Sequence, residues 1–182
     1  PLFSIKLENS KKKDPQNCAE YVLKISLRYS NQIVNDVLLI ISNINTINSL
    51  VINSKNYDRR ELGLSIIKCK DKLLDVFETC ITIEIFNQPS NKVNILKEYN
   101  DLINLIMEEK LVNVWKLKPL LNGKEAIKYG LTGKDIQKFK EIQIEWQLKF
   151  PNKTKKDFKT LIDRTSAEKN NILDSIDEEI KK

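Results

Sequence analysis

The stretch between Gly133 and Pro151 constrains the fold more than any other. It contains no glycine, no proline and no turn cluster. Pro151 ends whatever regular structure precedes it, because it has no N–H and its ring collides with the preceding turn. Within the stretch Ile142, Ile144, Trp146, Leu148 and Phe150 alternate with polar residues, a pattern that on its own describes a strand. Plotted at 100° per residue, Ile136, Phe139, Ile142, Trp146 and Phe150 share one helical face, and Ile144 and Leu148 form a second stripe nearly opposite. Thr132 offers an N-cap with Asp135 three residues on, and the Gln, Glu and Lys content suits a helix. The stretch therefore reads as one helix buried on two sides.

The rest of the chain reads as helices as well. Asp14 and Pro15 form a helix start for a mostly buried helix to about residue 29, with Val22, Leu23, Ile25, Leu27 and Tyr29. Leu2 to Leu7 alternates and reads as extended, and residues 10–13 as a charged link. Ser30 caps a second helix with Ile33, Val34, Val37, Leu38 and Ile41 at helical spacing, and residues 43–57, rich in Asn, Ser and Thr, read as its frayed end plus a loop. Asp58 caps a third helix with Glu61 three residues on, carrying Leu62, Ile66, Ile67 and Cys69 inward. A fourth segment, residues 72–86, begins at helical spacing, yet Ile81, Ile83 and Ile85 end it in a strand-like alternation. Beyond Pro89, Ser90 or Asn91 caps a long helix with Val93, Leu96, Leu102, Ile103, Leu105, Ile106 and Met107, stopping near Val112. A short helix then runs from Gly123 to Gly130, a suitable helix-ending glycine. Thr154 with Asp157 and Thr165 with Glu168 are two further cap pairs, the first opening a helix to about Asp163. Ile172, Leu173, Ile176 and Ile180 make a narrow stripe that needs a surface to lie on. The expected fold is all-α: a helical body over residues 1–112, a small helical tail over 113–163, and a C-terminal extension helix over 164–182.

Charge divides the chain unequally. Residues 110–160 hold 13 lysines and 5 carboxylates, whereas residues 1–109 hold 14 basic and 14 acidic side chains. A local cationic excess is the footprint of a polyanion partner, or else a solvated lysine-rich surface. The chain has no histidine, which removes Ser-His and Cys-His nucleophiles and histidine-containing zinc sites from it. Cys18, Cys69 and Cys80 lack metal-ligand spacing and read as buried thiols in a reducing, intracellular compartment. The longest apolar run, Val37 to Ile41, is far short of the ~20 residues of a membrane span, so no membrane partner is expected. With Pro1 first and Met107 its single methionine, the chain reads as a piece of a longer protein.

Two anchored pieces carry a resemblance. Residues 115–124 read W-K-L-K-P-L-L-N-G-K, and residues 145–154 read E-W-Q-L-K-F-P-N-K-T. Their order and spacing resemble the C-terminal tail of eukaryotic CCA-adding enzymes, the tRNA nucleotidyltransferases. Upstream, residues 58–64, D-R-R-E-L-G-L, resemble a helix of that family's body domain. The turn after Gly130, Leu131-Thr132-Gly133-Lys134, is a residue shorter than the family's Pro-Gly-Pro turn, and Gln137 stands where a further glycine is usual. The resemblance implies a parent that adds CMP and AMP from CTP and ATP to the tRNA 3′ end with Mg2+. Its catalytic head lies outside this chain, which is expected to bind no cofactor and to be inactive alone. Partners implied are the tRNA elbow and the N-terminal catalytic domain, and a homodimer is open.

Candidate RNA contacts follow from residue chemistry. Gly130 and Gly133 flank a turn leading into a helix start, whose free N–H groups and dipole favour an anion. Lys134 and Lys138, one turn apart, would flank it, and the alternative is a tight interhelical turn. Lys118, Asn122 and Lys124 surround Gly123 as a second donor set, unless Asn122-Gly123 is simply a capping turn. Arg59 and Arg60 sit in a first helical turn against the dipole, as phosphate contacts or as ion-pair partners of Asp58 or Glu61. Trp115 and Trp146 either stack on bases or lie in the core. The rival reading is a helical protein-interaction or oligomerisation module that binds through Ile144 and Leu148 or through the last helix.

Overall fold

The computed structural model describes residues 15–52, 57–167 and 171–181. Readings for the first 14 residues, for the loop at residues 53–56 and for Glu168 lie outside them. Among the described residues the chain is all helix, turn and loop, without a strand. In order, the helices are α1 (Pro15–Tyr21), α2 (Asn31–Ile52), α3 (Arg59–Cys69), α4 (Leu73–Asn87), α5 (Lys92–Glu108), α6 (Gly123–Lys128), α7 (Lys134–Lys149), α8 (Lys155–Ala167) and α9 (Ile172–Lys181).

Several local expectations are corrected. The first helix is neither long nor buried. After α1 the backbone widens into a π-helical turn, Val22–Ser26, and Arg28 takes φ +55. That breaks the 3.6-residue register, so Ile25, Leu27 and Tyr29 face solvent. Residues 43–52 are helical rather than frayed, because tertiary contacts override the weak helix propensity of Asn and Ser. Asn43 is buried and donates to the Leu39 carbonyl at 2.8 Å, while Ile47 and Val51 enter the core. The alternating isoleucines end α4 as a helix. Ile81 and Ile85, one turn apart, pack on the core, and Ile83 is exposed. Val93 and Leu96 also lie outside the core, because α5 turns Ile95, Tyr99, Leu102 and Ile106 inward instead. Thr132 does not cap α7: Gly133 holds the N-cap position at φ +53, without a side-chain cap. Thr165 caps nothing either. It lies inside α8, buried, with its hydroxyl donating to the Leu161 carbonyl, and Asn171 accepts from the Leu173 N–H at the start of α9.

Two hydrophobic cores result. The first gathers Ile47, Leu62, Ile66, Val76, Phe77, Tyr99, Leu102 and neighbours from α2 to α5, with Leu111 and Val114 from the segment after α5. The second gathers Leu121, Ala126, Phe139, Trp146, Phe158, Ile162, Ile176 and neighbours from α6 to α9. Helix α7 serves both. Phe139, Ile142 and Trp146 fill the second core, whereas Leu148 and Ile144 pack into the first. The two-sided burial expected of this stretch is thus the seam of the fold. At that seam Gly63 on α3 meets Leu148 so closely that a Cβ would stand 2.5 Å from the leucine's Cδ2. The apolar stripe of α9 finds its surface on α7 and α8. Both surfaces of the rival reading, the Ile144–Leu148 stripe and the last helix, are therefore covered within the chain.

By length and composition α2 is apolar enough to cross a membrane, with a mean hydropathy of 1.2. Its buried side chains, Val34, Asn43, Ile47 and Val51, are spent within the chain.

Candidate nucleic-acid interface

The approach to α6 and α7 is built by polar locks. Gln143 lies on α7, fully buried. Its carbonyl accepts from the Leu121 N–H at 2.6 Å, and its amide donates to the Leu121 carbonyl at 3.3 Å. One turn on, Gln147 donates to the Lys118 carbonyl at 3.1 Å. A buried extended segment cannot satisfy its own backbone; Gln143 does so for the buried Leu121, and Gln147 adds a bond at the exposed Lys118. They tie the segment carrying Lys118 and Leu121 to α7. The two anchored sequence pieces are thereby brought together around Trp146.

Asn122 is a genuine cap. It accepts from the Glu125 N–H, and the Glu125 carboxylate accepts from the Asn122 N–H, both at 3.0 Å. Glu125 also receives Lys155 and Lys159 from α8, each at 3.2 Å. The Asn122 N–H and these ammonium groups pull its carboxyl down to about 2. Gly123 begins α6 beside the first turns of α7, with a hypothetical Cβ 3.7 Å from Ile136 Cγ2. Gly130 closes α6 at φ +80, and the buried Leu131 anchors the turn. Nothing lies within 4 Å of where a Cβ would stand on Gly130 or Gly133. Both glycines serve backbone conformation, and the turn faces open space.

The charges sort themselves by partner. Of the carboxylates between residues 110 and 160, Glu125 takes two lysines, Glu145 pairs with Arg60 at 3.2 Å, Glu141 accepts from Gln137, and Asp157 closes a capping box with Thr154. Asp135 is the exception. It is exposed in the first turn of α7, where it competes with any anion for the helix start. Among the lysines, Lys149 pairs with Asp58 at 3.3 Å and Lys153 with Glu179 at 4.0 Å. Lys118, Lys124, Lys128, Lys134 and Lys138 are exposed and have no ion-pair partner among the described residues. The structure thus places four of the expected lysines at the free surface of the Lys118 segment, α6 and the start of α7. Lys128 joins them from outside the expected set, although its i,i+4 spacing from Lys124 is a signal for it.

Arg59 and Arg60 stand elsewhere. Arg60 pairs with Glu145 and, at 3.9 Å, with Asp58. Arg59 pairs with Glu109 at 2.8 Å. Both arginines are mostly covered, and neither partner is Glu61. Asp58 accepts from the Arg60 and Glu61 N–H groups. Burial raises the Asp58 carboxyl, but the Glu61 N–H and the Lys149 ammonium more than reverse this and hold it below its usual range. Trp146 is 1% exposed and packs in tilted contact with Phe158 and Phe150, which removes it as a base platform. Trp115 is half-buried, with the Lys116 ammonium 5.0 Å from its ring. No group of three or more His, Cys, Asp or Glu is arranged for a metal ion among the described residues.

No family model, no curated protein and no solved structure matches this chain.

Proposed function

We propose that this chain binds tRNA as the body and tail of a CCA-adding tRNA nucleotidyltransferase, holding the RNA through its phosphate backbone near the elbow. The observation that carries the RNA-binding half is the sorting of charge. Around α6 and the start of α7 the carboxylates are engaged within the fold, Asp135 excepted, while Lys118, Lys124, Lys128, Lys134 and Lys138 are left to solvent. Cations without internal partners on one region are what a phosphate backbone requires. The family half rests on the anchored pieces W-K-L-K-P-L-L-N-G-K and E-W-Q-L-K-F-P-N-K-T. Their Leu121 and Trp146 share one core.

The parent would transfer CMP and AMP from CTP and ATP, with Mg2+, in a reducing compartment inside the cell. Nucleotidyl transfer needs closely set carboxylates. Those around α6 and α7 are set singly: Glu125 and Glu145 hold ion pairs, Glu141 accepts from Gln137 and Asp135 stands alone, so no cluster of them fits a divalent metal among the described residues. That chemistry belongs to an N-terminal catalytic domain. Purified, this chain should incorporate no labelled CMP into tRNA, and metal-dependent incorporation would return the chemistry to it.

A second reading, a helical protein-interaction module, draws on a surface other than the Ile144–Leu148 stripe and the last helix. Leu74, Phe86 and Val93 are 69%, 83% and 80% exposed on α4 and α5. Filter binding of tRNA and of duplex DNA across a salt series separates the readings. The RNA reading expects tRNA to be held more tightly, because duplex RNA is recognised by shape and backbone. Equal affinity for both polyanions shows diffuse attraction to charge and sets the tRNA reading aside, and no affinity for either puts the interaction module ahead.

A further inference from the structure

The Arg59 side chain is held more elaborately than an ion pair requires. Its Nε donates to the Glu109 carboxylate at 2.8 Å, its Nη2 to the Glu109 carbonyl at 2.9 Å, and its Nη1 to the Leu148 carbonyl. Both carbonyls sit at helix ends: Glu109 is the C-cap of α5, and Leu148 lies in the last turn of α7. Such carbonyls have no partner within their own helix. A guanidinium, with its donors fixed in one plane, can serve several acceptors at once, which an ammonium cannot match. Tyr57 donates to the other Glu109 oxygen at 2.7 Å, which holds that carboxylate in place. The pairs Lys149–Asp58 and Arg60–Glu145 lie alongside, and the Gly63–Leu148 contact lies on the same two helices.

We propose that Arg59 is a positioning residue that clamps the C-terminal ends of α5 and α7 onto the first turn of α3, and so sets the direction in which α7 presents Lys134 and Lys138 to RNA. This rests on the RNA reading above. Helix α7 has 16 residues, so it is a lever of about 24 Å. Its cationic end and its clamped end are opposite ends of one rigid rod. An aligned lever keeps the binding-competent arrangement populated, and a loosened one weakens apparent affinity by the fraction lost.

Substitution at Glu109 distinguishes a clamp from a direct phosphate contact by the sign of its effect. Glu109→Gln removes the anion that holds Arg59. If Arg59 bound phosphate, freeing it would tighten tRNA binding. If it positions α7, binding weakens by about threefold, as when the competent fraction falls to about a third. Glu108→Gln, at an exposed neighbour without an ion-pair partner among the described residues, supplies the effect of a lost charge alone. Arg59→Lys keeps the charge and loses the fork, so the clamp expects weaker binding and a phosphate contact expects little change. Hydrogen exchange in the last turn of α7 reports the clamp without RNA and should quicken in both Arg59→Lys and Glu109→Gln. Tighter binding by Glu109→Gln, or unchanged binding and exchange in both variants, overturns the proposal. If the unaltered chain binds no tRNA, the RNA reading fails, and exchange alone then decides whether the clamp exists.

Discussion

The body core is assembled from Ile, Leu, Val and Cys, with Phe77 and Tyr99 as its buried aromatics, whereas the tail core packs the rings of Trp146 and Phe139 at a tilt against Phe158 within a smaller set of side chains. Their surfaces differ too. Among the described residues, the exposed large apolar side chains lie almost wholly in the body, with Leu117 and Ile127 the exceptions. The tail exposes lysines instead. A small unit buries a lower fraction of its surface, and here aromatics and polar locks such as Gln143–Leu121 compensate. Asp135 and Glu141 stay exposed without a cation, but the other carboxylates near α6 and α7 are engaged in caps and ion pairs, and the charge that remains outside is mostly cationic. The body thus exposes apolar side chains among balanced charges and the tail a cationic excess, and α7 is shared by both.

The side chain whose loss should cost most is Trp146, at the centre of the tail core. Trp146→Ala should cost about 3–5 kcal/mol, as large-to-small changes at buried aromatics do. If the shared helix couples the cores, thermal melting shows a single transition moved down. A separate transition that keeps the near-ultraviolet signal of Tyr99 would show two independent units. Gln143→Leu should cost about 1–3 kcal/mol, because it leaves the Leu121 N–H buried and unpaired. Denaturant melting measures it, and an unchanged midpoint would make the polar lock dispensable.

Gly63→Ala probes the seam itself. In an ordinary helix alanine gains about 1 kcal/mol over glycine. Here the added methyl meets Leu148, itself buried, and overpacking of this kind costs about 1–3 kcal/mol. A net loss is expected, and a gain would show that the seam yields easily.

The seam is legible in the residues alone. The two stripes of α7 are readable because both obey one helical period and Pro151 closes the stretch. Asn122 as a cap and the exposed lysines are legible for the same reason: their chemistry is local. What escapes such a reading is long-range. Asn43 looks like loop material until the partners of α2 are known, and the direction in which Arg59 points depends on Glu109, fifty residues away in sequence. Thr132 fits a capping pattern that Gly133 pre-empts by taking positive φ. Thr165 fits the same pattern inside a helix that simply continues.

A smaller effect concerns pH. The Asn122 N–H and the two lysines depress the folded Glu125 pKa to about 2, from an ordinary 4.5. A depressed carboxylate contributes stability above its unfolded pKa and loses it as pH falls through the folded value. The tie between α6 and α8 should therefore hold above about pH 4.5 and weaken progressively towards about 2. Glu125→Gln should flatten that part of the stability profile while leaving the profile near neutrality the same shape. An unchanged acid limb would show that Glu125 carries none of the dependence.

The most direct test of the central claim is charge reversal on the tail compared with the body. Lys134→Glu and Lys138→Glu should leave the fold intact, since both side chains are exposed and Lys134 stands in the first helical turn, which favours a carboxylate. Lys97→Glu, exposed on α5 without an ion-pair partner among the described residues, is the control; Lys181 is less suitable because it pairs with Asp177. RNA binding through this surface entails weaker tRNA binding for each tail reversal, with the log-affinity against log-salt slope flattened by about 0.7–0.9 per lost contact, and little change for Lys97→Glu. Equal weakening by all three reversals would show diffuse attraction without a site, and no weakening by any of them would contradict RNA binding by this surface.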